Sequence, residues 1–205
     1  LPIHYQIQQP NFKLVLWQIT EPIIFFESKL QNWSAEYMLI KVENRKLQYA
    51  ASRYVASLLT NNTDASQIIK NQHRQPFLSN SDLKISISHD ENWAAVAIGN
   101  QQIGIDIFCS TDKVIRIADR FIHDSEKKYL ATFITHDSEI IEYYSLLWSI
   151  KETVFKWMQV QQVEFKTDII LVELHPDKAI INTSKNGLVE VTIKIEPHFI
   201  LTWIE

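Results

Sequence analysis

Glycine is almost missing from this chain: Gly99, Gly104 and Gly187 are the three in 205 residues. Their scarcity excludes the glycine-rich loops that wrap nucleoside triphosphates and dinucleotides. Any phosphate bound here must therefore be held by side chains and metal. Cysteine is rarer still. Cys109 is the single one, which rules out an internal disulfide and the paired-cysteine spacing of a zinc site, and leads us to expect a reducing, cytoplasmic setting. No nearby pattern offers Cys109 a base, so it reads as a bystander and not as a nucleophile. A dominant charge is lacking as well. The formal net charge is -4, too little to gather nucleic acid or an anionic membrane, so an anion site must be a local cluster. Long apolar runs are absent from residues 1–19, where Pro, His, Gln and Lys break up the hydrophobic residues. That pattern fits neither a signal-peptide core nor a membrane span, and the segment is expected to be the first strand of a domain.

What is present is ample core material. A hydrophobic share of 46% and an aromatic share of 11% can bury one large domain or two small ones. Residues 34–59 repeat apolar positions at helical spacing, with Ser34 as N-cap, and 61–66 is a polar loop. Period-two patterns at 84–88, 94–98 and 102–107 predict a three-stranded meander. Helices are expected at 114–121, 125–133 and 139–158, and strands at 163–165, 169–174, 179–182, 188–195 and 200–204, with Asn186-Gly187 as a turn. The order of helix, then antiparallel strands, occurs twice. We expect an α+β fold of two similar lobes, 1–103 and 104–205, each a helix packed on an antiparallel sheet, related by a pseudo-twofold with the active site between them.

Three short stretches carry the chemistry. In a helix, Trp148, Glu152 and Lys156 are four apart and share a face, with Lys151 beside Glu152. One acid then sits among cations, although an isolated match of this kind also describes an ordinary exposed Glu–Lys pair. Asp106 lies in the apolar strand Gly104-Ile105-Asp106-Ile107-Phe108. A carboxylate there is costly unless paired, cation-bound or satisfied by backbone donors. Mg²⁺ takes one or two carboxylates and fills its shell with waters and phosphate oxygens, so Asp106 and Glu152 would suffice. Ser88-His89-Asp90 cannot be a hydrolase triad, because side chains of adjacent strand residues point apart. His89 is either a donor to phosphate oxygen or a structural residue.

Together, Ser88-His89, Gly104 to Ile107 and Trp148 to Lys156 resemble the motifs of 4′-phosphopantetheinyl transferases of the long, pseudo-dimeric class. The resemblance extends to Arg45, Arg53, Pro76-Phe77-Leu78, Ile117 to Phe121 with Glu126, and Val163-Glu164-Phe165, and so covers most of the chain. It implies that Asp106 and Glu152 bind Mg²⁺ with the diphosphate of coenzyme A, and that Lys151 and Lys156 neutralise phosphate charge. Ser88 and His89 would touch the nucleotide end or the diphosphate, with Arg45 a further nucleotide candidate and Trp148 shaping the pocket. A serine of an acidic acyl or peptidyl carrier protein, activated by Glu152 directly or through a metal-bound water, would attack the β-phosphate and release adenosine 3′,5′-bisphosphate. Lys113, Arg116, Arg120, Lys127 and Lys128 form a basic stretch on which that carrier could dock, or else a solvated face. The protein is expected to act as a monomer, with no nucleic-acid or membrane partner.

Two positions depart from the family pattern. Phe108 stands where a second acid often lies, and a lost charge beside a dication weakens binding by roughly 1 to 4 kcal/mol at contact. Arg74-Gln75-Pro76 replaces the usual Gly-Lys-Pro, and Arg74 is the candidate substitute for the missing cation. Phe108 also supports the alternative of a degenerate relative that binds coenzyme A or a carrier without transfer. A metal-dependent nuclease built on Asp106 and Glu164-Phe165-Lys166 is disfavoured by the long spacing and the acidic chain.

Overall fold

The computed structural model describes residues 2–205, and Leu1 of the expected first strand lies outside the described residues. The N-terminal stretch is a hairpin instead of one strand. β1 (Ile3–Gln8) pairs antiparallel with β2 (Phe12–Gln18), and Gln9 N–H donates to Phe12 O at 2.9 Å to close the turn. α1 (Ile23–Lys29), which apolar spacing did not predict, starts directly after Pro22, a residue that lacks the N–H a helix start leaves unpaired anyway.

The single helix expected at 34–59 is two: α2 (Ala35–Leu39) and α3 (Glu43–Thr60). Ser34 does cap the first, its Oγ accepting from Tyr37 N–H at 3.3 Å. Extended backbone at Ile40 and Val42 separates the two helices. Packing explains the break. In one straight helix Tyr37 and Tyr49 would stand about 18 Å apart along the axis, whereas their rings lie 5.8 Å apart. α3 ends at Asn61, whose left-handed φ of 53° suits asparagine.

β3 (Ile68–Lys70) and β4 (Pro76–Leu78) form a small hairpin. β5 (Lys84–Asp90) and β6 (Trp93–Gly99) form the next, as predicted. The meander does not continue. β6 is already paired with β2 on one side and β5 on the other, so β7 (Gly104–Phe108) finds no free edge there and belongs to a different sheet. The first sheet has the order β1-β2-β6-β5.

The chain divides within β7 into two compact units, residues 1–105 with Glu205 and residues 106–204. In the first unit α3 lies on β6. Ala50, Ala51 and Ala56 of the helix and Ala94 and Val96 of the strand are fully buried, and these small side chains permit close approach. Each larger aliphatic side chain buried around them, such as Val55 or Ile98, contributes about 1.5–3 kcal/mol.

The second unit runs through α4 (Lys113–Phe121), α5 (Asp124–Leu130), α6 (Glu139–Met158), α7 (Phe165–Asp168), β8 (Ile169–Leu174), β9 (Lys178–Thr183), β10 (Gly187–Glu196) and β11 (Phe199–Ile204). Its sheet has the order β7-β11-β10-β9-β8. α6 spans the residues that apolar spacing assigned to it. The strand expected at 163–165 is replaced by the single turn of α7, because Asp168 Oδ2 accepts Glu164 N–H at 2.9 Å and curls the chain. α6 is set on β11 by buried hydroxyls: Ser149 Oγ and Thr153 Oγ1 lie 3.0 and 2.6 Å from Thr202 Oγ1. Each unit is thus a long helix on an antiparallel sheet, the α+β architecture read from the sequence. Among the described residues no helix is long and apolar enough to cross a membrane.

Candidate active site

Asp106 enters on β7, and Glu152 and Lys156 come from the C-terminal half of α6. Lys156 Nζ donates to Asp106 Oδ1 at 2.7 Å, with the lysine side chain 25% exposed and the aspartate 7%. Burial drives the Glu152 carboxyl above the ordinary glutamate value; the Lys156 ammonium opposes that rise and the Asp106 carboxylate adds to it. Both carboxylates and the ammonium therefore share one electrostatic neighbourhood.

That donor set fits a hard dication. Two carboxylates supply oxygen ligands, and Mg²⁺ keeps several waters or takes phosphate oxygens for the rest of its shell. Among the described residues no cluster of three or more His, Cys, Asp or Glu exists that would form an all-protein cage. Phe108 adds no ligand: it is half-buried and packs against the apolar core of the second unit.

Lys151 is not part of this site. Sequence reasoning placed it beside phosphate, yet its side chain is fully buried, and its ammonium donates to Phe121 O, Glu126 Oε2 and Phe165 O at 2.7, 2.7 and 2.8 Å. One residue along a helix turns the side chain by about 100°, so neighbours in sequence serve different surroundings. Burial pulls the Lys151 ammonium below the usual lysine range, and the Glu126 carboxylate counters it. Trp148 is half-buried between Phe121 and Phe165, with ring centroids 5.0 and 5.5 Å away.

The other predicted residues belong to the first unit. Ser88 is buried and His89 exposed on β5, the opposite-facing arrangement that precludes a local triad. Arg45 is exposed in the first turn of α3. Arg74 is exposed in the β3–β4 loop with a left-handed φ of 64°; Asn71 Oδ1 holds that loop by accepting the N–H groups of His73 and Gln75 at 2.9 and 3.0 Å.

One further residue, Lys70, escaped sequence reasoning there. Lys70 forms an ion pair with Glu36, 34 positions away, a separation that no local pattern reports. Partial burial works against ionisation of Glu36, but Lys70, Arg53 and Arg74 together bring its carboxyl below the ordinary value. Arg53 is almost wholly buried, its guanidinium 3.7 Å from the Tyr49 ring centroid and its Nε without a hydrogen-bond partner among the described residues. Lys70, Arg53 and Arg74 thus all favour the ionised form of the one carboxylate of Glu36. A separate cavity of about 430 Å³ lies at the opposite end of the β5–β6 hairpin from His89, lined by Asn11, Lys13, Asn61, Gly99 and Asn100 among others, and contains none of these groups.

On the expected docking stretch, Lys113, Arg116, Arg120 and Lys128 are exposed. Arg116 pairs loosely with Asp112 at 3.5 Å, and Lys127 is engaged by Asp119 at 2.6 Å.

Residues 102–198 match the family model of the 4′-phosphopantetheinyl transferase superfamily. The chain is similar to the 4′-phosphopantetheinyl transferase gsp of Aneurinibacillus migulanus, 30% identical over 122 residues, covering 58% of this chain and 50% of that protein. It is also similar to the 4′-phosphopantetheinyl transferase Sfp of Bacillus subtilis (strain 168), 32% identical over 96 residues, covering 47% and 42% of the two chains. The ffp protein of Bacillus subtilis, bearing the same description, is 32% identical over 92 residues, 45% of this chain and 40% of its own. The matched stretch thus spans half or less of the length of these curated relatives.

Proposed function

Because the stretch 102–198 belongs to the 4′-phosphopantetheinyl transferase superfamily, we propose that the protein transfers 4′-phosphopantetheine from coenzyme A to a serine of an apo carrier protein. The observation that carries this reading is the grouping of Asp106, Glu152 and Lys156, in which Glu152 is tuned toward proton exchange. Asp106 and Glu152 would hold Mg²⁺, whose contribution when bound is to neutralise the coenzyme A diphosphate.

The chain's own residues do the rest. Glu152 would take the proton from the carrier serine hydroxyl, directly or through a water. The serine Oγ forms a bond to the β-phosphorus as the bond from that phosphorus to the oxygen bridging the diphosphate breaks. Adenosine 3′,5′-bisphosphate leaves with the electron pair. Lys156, still partly accessible, offers its ammonium to the charge that builds up on the leaving phosphate. By the family resemblance, Ser88, His89, Arg45 and Arg74 would contact the nucleotide end of coenzyme A. An acidic acyl or peptidyl carrier protein would dock on the exposed side of α4, where Arg116 and Arg120 lie four apart.

The test is the intact mass of several apo carrier proteins after incubation with this protein, coenzyme A and Mg²⁺, with Glu152→Gln as control. A gain of one phosphopantetheine, lost in the control while the fold is retained, is expected. Near-normal transfer by Glu152→Gln would sink the assignment of Glu152. A second reading follows from Phe108, which occupies a position of a possible third ligand with an apolar ring: a degenerate relative that binds coenzyme A without transfer. Mg²⁺-dependent coenzyme A binding with no mass gain on any carrier would select it.

A further inference from the structure

Behind the Asp106, Glu152 and Lys156 grouping lies a second, fully interior ion pair. Lys151 and Glu126 are both 0% exposed and 2.7 Å apart. All three ammonium protons are used, on Glu126 Oε2, on Phe121 O at the C-terminal end of α4, and on Phe165 O in α7. Glu126 is nearly as fully engaged. Its Oε2 also accepts His123 N–H at 2.7 Å, completing a capping box at the start of α5, and its Oε1 accepts Leu171 N–H on β8 at 2.7 Å. Lys151 therefore ties α6 directly to α4, α5 and α7, and Glu126 extends the tie to β8.

Burial of two charges is not an economical way to stabilise a domain, because well-packed apolar residues of similar volume often do as well or better. What such a pair adds is direction: short charge-assisted bonds accept little angular error. Lys151 immediately precedes Glu152, and Lys156 follows in the last turn and a half of the same helix. The hydroxyls of Ser149 and Thr153 and the buried Leu147, Ile150 and Val154 seat α6 on its sheet, and the bonds of Lys151 add directional ties to α4, α5 and α7. We infer that the Lys151–Glu126 pair is a positioning device that fixes the rotation of α6 and thereby aims Glu152 and Lys156 at Asp106. Its catalytic consequence rests on the function proposed above; its geometric claim does not.

The experiment uses the double variant Lys151→Met/Glu126→Gln. This removes both charges while the new amide keeps one acceptor for a backbone N–H of the two that Glu126 serves. Glu126→Gln alone is the second variant should the double one not fold. Two readouts are taken on protein shown by circular dichroism to be folded. The first is the NMR signal of the Lys156 ammonium and its coupling to the Asp106 carboxylate, measured without metal or coenzyme A. The second is kcat and KM for coenzyme A with a carrier protein modified by the wild type. We expect the Lys156–Asp106 coupling to be lost and kcat to fall about 10- to 100-fold with KM changed less than threefold, as for misaligned reacting groups. A merely structural pair would change only the melting temperature. A folded variant that keeps the Lys156–Asp106 coupling overturns the inference. If the wild type modifies no carrier, the function reading falls, and the ammonium signal still decides whether the pair aims the helix.

Discussion

Replacing Lys156 by methionine probes the site at its centre. The ammonium is 2.7 Å from Asp106 Oδ1 and is the favourable charge opposing the burial of Glu152. At contact a unit charge acts on another with about 1 kcal/mol in a water-like surrounding and about 4 kcal/mol near a protein surface. With Lys156 25% exposed and Asp106 almost buried, an intermediate figure of about 2 kcal/mol is expected for the charge developing on the leaving phosphate, about a thirtyfold fall in kcat. The pH dependence moves as well. Glu152 must be ionised to accept the serine proton, so kcat/KM rises with pH through its raised folded value, and loss of Lys156 displaces that rise further upward. Stability has the opposite slope. A carboxyl raised on folding binds protons more tightly in the native state, so the stability it contributes is present at low pH. That contribution is lost as pH rises from the ordinary value of 4.5 through the folded one. Initial rates of carrier modification between pH 5 and pH 9, taken in about half-unit steps, measure the first effect, and urea unfolding over the same range measures the second. A Lys156→Met enzyme whose rate falls less than threefold and whose acid limb stays in place would refute the reasoning.

Charge reversal at Arg116 and Arg120, both exposed on α4, should raise the carrier KM about tenfold and flatten its salt dependence while leaving KM for coenzyme A unchanged. Steady-state kinetics in 50 to 300 mM salt, roughly two- to threefold in Debye length, reads both effects, and unchanged slopes would make this an ordinary solvated face. Phe108→Glu should tighten Mg²⁺ binding by roughly 1 to 4 kcal/mol, seen as a lower Mg²⁺ requirement. It should also lower the melting temperature, because Phe108 packs on the core. A variant that needs as much Mg²⁺ as the wild type would show that position 108 does not face the metal.

Much of the site was legible because its signals are local. Glu152 and Lys156 announce their shared helix by spacing and Asp106 its strand by an apolar alternation, and the strand that sets Ser88 and His89 on opposite faces is read the same way. Lys151 shows where that reasoning stops. The family resemblance implied phosphate as its partner, whereas in the structure it pairs with Glu126, 25 residues away. No spacing rule connects the two, because the contact exists only once α5 and α6 are packed. The same holds for Lys70 with Glu36.

The sequence by itself determined the elements whose causes lie within a few residues: the span of α6 from its apolar spacing, the strands β8 to β11 from alternation, the Ser34 cap and the turn before Gly187. Only the tertiary structure decided that Lys151 pairs with Glu126 and Lys156 with Asp106, that α2 breaks from α3 to bring Tyr37 against Tyr49, and that β7 leaves the sheet of β5 and β6. The reason is physical. Local propensity and hydrogen bonding act over a few residues, whereas burial and ion pairing act over ångströms, between groups that the chain brings together only when it folds.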